Sequence, residues 1–164
     1  MDKETLLIDE ALLDDLSRKA RLTPRLRTNL NLHRDLEDPC QRLLVAMEPG
    51  SFVPPHRHLH PRRDETFLAL RGSIALILFQ QDGRVLRLQR LGPLGPCRGA
   101  QIPAGVWHTV LSLESCSAFF EAKEGPYRTF GPLDLAPFAP DAQDRPACRL
   151  YLDELTRLVR SSPD

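Results

Sequence analysis

Hydrophobic and polar residues change period along this chain, and each change marks an element. From Glu10 to Ala20 apolar residues recur at helical spacing, with Leu12, Leu13 and Leu16 on one stripe and Asp14, Asp15, Arg18 and Lys19 on the other. Asp9 can cap this helix, because its carboxylate accepts backbone N–H groups that no earlier carbonyl reaches. Thr23-Pro24 ends it, since the residue before a proline is pushed out of helical geometry. Ahead of the helix, Thr5 to Ile8 is a short apolar run that reads as a strand.

From Arg25 to His33 the period falls to two. Arg25, Arg27, Asn29, Asn31 and His33 alternate with Leu26, Thr28, Leu30 and Leu32, the pattern of a half-buried strand. Further strands are expected at Gln41 to Met47, Glu65 to Leu70, Ile74 to Phe79, Val85 to Leu91, Thr109 to Leu113 and Ser117 to Lys123, with Arg98 to Pro103 leading up to Gly105 and His108. On the return strand Leu86 and Leu88 share one side. Ser51 to His58 is extended and carries prolines, and Asp82-Gly83 supplies the positive φ of a hairpin turn. Many short strands joined by Gly/Pro turns predict an all-β barrel or sandwich. After Lys123 a Pro-rich stretch with Tyr127, Phe130 and Phe138 is too apolar for a free linker and is expected against the barrel, over its mouth. Ala147 to Arg160 is again amphipathic, with Tyr151, Leu155, Leu158 and Val159 on one face.

A length of 164 residues suits one domain with one core, divided at about 1–33, 34–124 and 125–164 into an N-terminal helix and strand, a barrel, and a C-terminal loop and helix. The formal net charge of zero removes any bulk electrostatic case for nucleic acid or a membrane surface. Cys40, Cys97, Cys116 and Cys148 form no C-x-x-C pair, which argues against a zinc knuckle or a redox motif. The first residues show neither a basic n-region nor a long apolar stretch, so a cytoplasmic protein is expected.

The histidines change the picture. Four of the five, His56, His58, His60 and His108, fall in two short stretches, Gly50 to Gly72 and Gly99 to His108. In an extended chain residues i and i+2 face one way, so His56 and His58 can hold one ion together. Glu65 can join from the next strand and His108 from a third. His58 with His60 is the alternative pair, and the two assignments stay open. His33, the fifth, is expected to be a hydrogen-bonded structural residue. Neutral imidazoles with one carboxylate suit a single divalent transition metal ion: iron, manganese, nickel, cobalt, copper or zinc. Glu121 and Lys123 alternate on a late strand as an acid/base pair, and Tyr127 could offer its hydroxyl, so these three are the catalytic candidates. If the polar face at Arg25, Arg27, Asn29 and Asn31 borders the metal cavity, those four would bind an anionic or hydroxylated ligand; the plain alternative is a solvated face.

The same stretches resemble the two motifs of the cupin superfamily. Five residues stand between Gly50 and His56, six between Glu65 and Gly72, and Pro103, Gly105 and His108 match the second motif. The His58–Glu65 gap is longer than the usual motif, the Gly99–Pro103 spacing is shorter, and Ser112 stands where many cupins have Asn. More narrowly the chain resembles the WbuC-type cupin-fold metalloproteins, through NLH at Asn31 to His33, QRLL at Gln41 to Leu44, PHRH at Pro55 to His58, KEGPY at Lys123 to Tyr127 and LAPFAP at Leu135 to Pro140. The resemblance implies a cupin-type β-barrel, a double-stranded β-helix or jelly roll, with short terminal helices. It also implies a metal-dependent protein acting on a small polar molecule, such as a sugar or sugar nucleotide of O-antigen and other surface-polysaccharide synthesis. Oxygenase and isomerase chemistry are the enzymatic expectations, and a non-catalytic binding or sensing protein is the alternative. Many cupins dimerise by strand exchange, so a homodimer is an expectation of the resemblance alone.

Overall fold

The computed structural model describes residues 5–59 and 63–162. Helix α1 (Glu10–Leu22) leads, followed by strands β1 (Arg27–Asn31), β2 (Cys40–Met47), β3 (Glu65–Arg71), β4 (Ile74–Phe79), β5 (Val85–Leu91), β6 (Gly99–Ile102), β7 (Trp107–Ser112) and β8 (Ser117–Glu124), then helix α2 (Arg145–Ser161). The strands form two antiparallel sheets, one of order β1-β2-β8-β3-β6 and one of order β5-β4-β7.

Alternation along each strand decides what the two faces meet. Val45, Met47, Phe67, Ala69, Ile102 and Phe119 of the larger sheet pack against Ile74, Leu76, Leu91 and Val110 of the smaller one. Leu44, Ala46 and Phe120, on the opposite face of the larger sheet, meet Leu12, Leu16 and Ala20 of α1. Ala75, Ile77, Trp107 and Leu111 meet Leu152, Leu155 and Val159 of α2. The result is a helix–sheet–sheet–helix stack. β4 lies between core and helix, which is why IALILF is apolar at every position.

Local chemistry sets the boundaries. Asp9 Oδ1 accepts the Leu12 N–H at 3.0 Å and starts α1; the Thr23 N–H donates to Ala20 O and ends it. Gly72 turns β3 into β4 at φ +68°, and a Cβ there would lie 2.6 Å from Ser117 Oγ.

Four expectations change. Leu6, Leu7 and Ile8 are exposed and form no strand, because no neighbouring strand pairs with them. β1 is shorter than its alternating pattern, since Leu26 takes a left-handed φ of +55° before it. In β5 the register shifts, with Leu78 opposite Arg87 and Phe79 opposite Val85; Leu86 bulges outward and is 60% exposed, while Leu88 still packs towards α2. On α2 the buried stripe is Cys148, Leu152, Leu155 and Val159, and Leu158 is exposed.

Candidate metal centre

The segment from Ser51 to His58 runs beside β7 without becoming a regular strand. Pro54 and Pro55 have no N–H to give a ladder. Pairing is confined to His56, whose N–H donates to His108 O and whose O accepts the His108 N–H, both at 2.9 Å. Directly paired residues point the same way, so both rings enter the space between the sheets, with centroids 4.4 Å apart. His58 follows on the same side by alternation. Arg57 between them points outward and lies over the Trp107 ring at 4.1 Å. Glu65 opens β3 on the facing sheet, on the same face as Phe67. The β6–β7 turn that presents His108 is held by Asp64, whose carboxylate accepts the Ala104 N–H and the Gln101 side-chain N–H, both at 3.0 Å.

His56, His58, Glu65 and His108 are all buried, and one donor atom of each lies within 4.8 Å of the others. His60 lies outside the described residues. His33 is not part of this cluster: its Nδ1 accepts the Arg42 N–H at 3.0 Å.

Hydrogen bonding shows that these donors suit a cation. His56 Nδ1 donates to Pro54 O and His108 Nδ1 to Val106 O, both at 2.9 Å. A carbonyl can only accept, so both Nδ1 atoms carry hydrogen, which leaves each Nε2 as the atom that could ligate a metal. Yet His108 Nε2 lies 2.9 Å from Glu65 Oε2, and His58 Nε2 lies 3.4 Å from the same oxygen. His58 Nε2 is buried without a hydrogen bond among the described residues. Two ring nitrogens gathered on one buried carboxylate oxygen form a pocket that a cation would suit. Adjacent ligands on an ion with bonds of about 2.1 Å would stand about 3 Å apart, which matches these separations. The donor set fits a borderline transition metal.

Electrostatics keep His56 and Glu65 in ligand form. Burial, then the nearness of His108, pushes His56 down to about 3, leaving it a neutral imidazole. Burial pushes Glu65 up, but the Lys123 ammonium and the His108 and His58 side chains outweigh it and hold the carboxyl well below its usual range. Lys123 Nζ spans two carboxylates, 3.0 Å from Glu65 Oε1 and 2.6 Å from Glu121 Oε1. Burial lowers the affinity of Lys123 for its proton, and Glu121 and Glu65 more than restore it, so it stays charged. Glu121 is pushed up to about 8 by burial and by the charge of Glu65.

The Pro-rich stretch after β8 lies over this end of the sandwich. Arg57 fixes it: its N–H donates to Asp134 O at 2.9 Å and its Nε to Leu133 O at 3.1 Å. The Ala136 N–H donates to Pro55 O at 2.9 Å. Phe130 stacks on His56 and His58, with centroids 4.6 and 5.6 Å away. The stretch carrying Phe130 is expected over the barrel mouth from sequence, though its stacking on the histidines is not; the alternation of His-Arg-His was the one available sign that Arg57 faces away from the ligands.

The remaining candidates are dispersed. Glu121 and Lys123 sit beside Glu65, whereas the Tyr127 side chain is 44% exposed and makes no hydrogen bond among the described residues. Asn29 and Asn31 lie on the same sheet face as Val45 and Leu43, exposed, with Asn29 Nδ2 donating to Asn31 Oδ1 at 2.6 Å. Arg25 and Arg27 line a separate cleft whose walls include none of the four clustered donors.

This stack of two antiparallel sheets is a cupin-like sandwich, and it encloses three histidines and one glutamate that could hold one metal ion. The chain belongs to the family described as "Domain of unknown function" (DUF6016), matched over residues 8–91, which takes in His56, His58 and Glu65 and stops before β6. Among solved structures it is similar to a conserved protein of unknown function from Streptococcus pyogenes, with a TM-score of 0.52 and 13% identity over 77% of this chain and 93% of that one. It is also similar to oxalate oxidase in complex with the substrate analogue glycolate, with a TM-score of 0.51 and 18% identity over 87% of this chain and 76% of that one. A cupin-2 domain containing protein from Shewanella frigidimarina aligns with a TM-score of 0.45 and 17% identity over 60% of this chain and 80% of that one. Identities this low carry the fold and leave substrate apart. No curated protein matches the chain. Among the described residues no helix is long and apolar enough to cross a membrane.

Proposed function

We propose that this protein is a mononuclear metalloenzyme that acts on a small polar molecule, with its ion held by His56, His58, Glu65 and His108. The approach of two imidazole Nε2 atoms to one carboxylate oxygen, within a buried cluster of three histidines and one glutamate, carries this reading. Bound there, a divalent transition ion supplies Lewis acidity and, for a redox-active metal, a place for dioxygen. The chain's own groups do the rest. Lys123 keeps Glu65 ionised and tethers Glu121 next to it. Glu121 places a carboxyl group beside the centre, where it can pass a proton to a bound substrate. Phe130 and the loop pinned by Arg57 narrow the way in and exclude water. The resemblance to WbuC-type proteins at PHRH and KEGPY makes sugars and sugar nucleotides of surface-polysaccharide synthesis the first substrate class to test.

Metal analysis by mass spectrometry on untagged protein, beside His56→Ala and His108→Ala, tests the centre. Wild type is expected to hold roughly one ion per chain, and folded variants to hold none, because each loses a ligand. A wild type that stays metal-free after reconstitution, or variants that keep the ion, would overturn it. Sugar nucleotides are then incubated with loaded protein and followed by mass spectrometry. A second reading, a sensor that holds its ligand without turnover, is favoured by Phe130 lying across two of the rings. Saturable binding with no product would establish that reading in place of the first.

A further inference from the structure

We infer that the cleft between α2 and the segment from Pro49 to Pro54 is a second ligand site, one that binds a small molecule bearing a diphosphate group. The cleft encloses about 970 Å³, at the upper end of the roughly 300–1,000 Å³ usual for small-molecule sites. Six arginines line it: Arg25, Arg27, Arg90, Arg145, Arg149 and Arg160. Among the described residues, the carboxylates that accompany them are Glu114 and Asp153. The chain as a whole has zero net charge, so this is a local concentration of one sign.

Arg27 separates this from an ordinary solvated basic face. Its guanidinium donates to Phe52 O at 2.7 Å and to Ser51 Oγ at 3.2 Å, both uncharged. Among the described residues no carboxylate forms an ion pair with Arg25, Arg27, Arg145, Arg149 or Arg160. Burial, with Arg25 close by, lowers Arg27 to about 10. A half-buried cation held only by neutral acceptors is costly, and an anion in the cleft would relieve that cost. Arg145 and Arg149 stand one turn apart on α2, so the cleft presents guanidinium groups from two walls. Planar forks from two sides suit the paired oxygens of linked phosphates better than a single carboxylate. Arg90 also closes the far end of α2, donating to Val159 O at 2.7 Å. This inference stands independently of the metal centre, because none of the four clustered donors lines the cleft.

Isothermal titration of the full chain with inorganic pyrophosphate, at about 150 mM salt to screen exposed charges, tests it. Saturable binding is expected, weakened about tenfold or more by Arg145→Glu/Arg149→Glu and by Arg27→Gln. The first variant changes only exposed side chains, so it remains informative if Arg27→Gln fails to fold. Arg84→Glu, on the β4–β5 hairpin outside the cleft, should bind like wild type. No saturable heat, unchanged affinity in the cleft variants, or an equal loss in Arg84→Glu would overturn the proposal. Adenosine and uridine diphosphates run in parallel: tighter binding than pyrophosphate assigns a nucleotide, and equal binding assigns the phosphates alone.

Discussion

At the scale of single residues, the centre turns on which group holds a proton. Of the buried groups around it with shifted affinities, Glu121 alone titrates between about 6.5 and 8. Its folded value, about 8, lies above the ordinary 4.5, so the folded protein binds this proton more tightly than the unfolded chain. The resulting stabilisation is complete below about 4.5 and is lost as pH rises towards 8. His56 works the other way, but only from about 6.5 down to about 3. Metal-free protein should therefore be less stable at pH 8 than at pH 6.5, and Glu121→Gln should flatten that difference. Urea midpoints at the two pH values measure it; equal slopes in both proteins would contradict the assignment. His58, Glu65, His108 and the Glu121–Lys123 pair were readable from residue type and spacing, while the choice between His56 and His60 stayed open. The link from Lys123 to Glu65 was not, because it depends on β8 and β3 being neighbours across a long stretch of sequence.

At the scale of elements, strands with a clear period of two, and helices with caps, were legible within a few residues. Segments whose backbone partners lie far away were not. Ser51 to His58 is extended but pairs its backbone with β7 only at His56, and the Leu135 region joins that segment in turn. No periodicity announces such a pairing. The same reason hides the part Phe130 plays. Its ring is 46% exposed yet rests on two of the clustered histidines, so Phe130→Ala should leave the fold intact and open the centre. Loss of metal to a chelator should become several-fold faster with little change in melting temperature, and stopped-flow chelation would show it. An unchanged rate would mean that the ring is no barrier. Gly72→Ala should act differently. A side chain at φ +68° pressed on Ser117 strains the β3–β4 turn, and a loss of more than about 1 kcal/mol is expected in equilibrium unfolding.

At the scale of the whole molecule, the placement of the donors matters more than their number. Glu65 belongs to the five-stranded sheet, His108 to the three-stranded sheet, and His56 and His58 to the segment running beside it. An ion bound to all four would tie together layers that also meet through side-chain packing and the His108–Glu65 contact. Binding confined to the folded state stabilises it by RT ln(1 + [L]/Kd), about 4 kcal/mol at a thousandfold excess over Kd. Stripping the metal should therefore lower the melting temperature by several degrees, and differential scanning calorimetry with and without chelator reads this directly. Between the two sheets the ion would work as a rivet. Without it the sandwich should gape at this end while α1 and α2 still clasp the outer faces, so that the first amide hydrogens to exchange would lie along β3 and β7, the two leaves it pins.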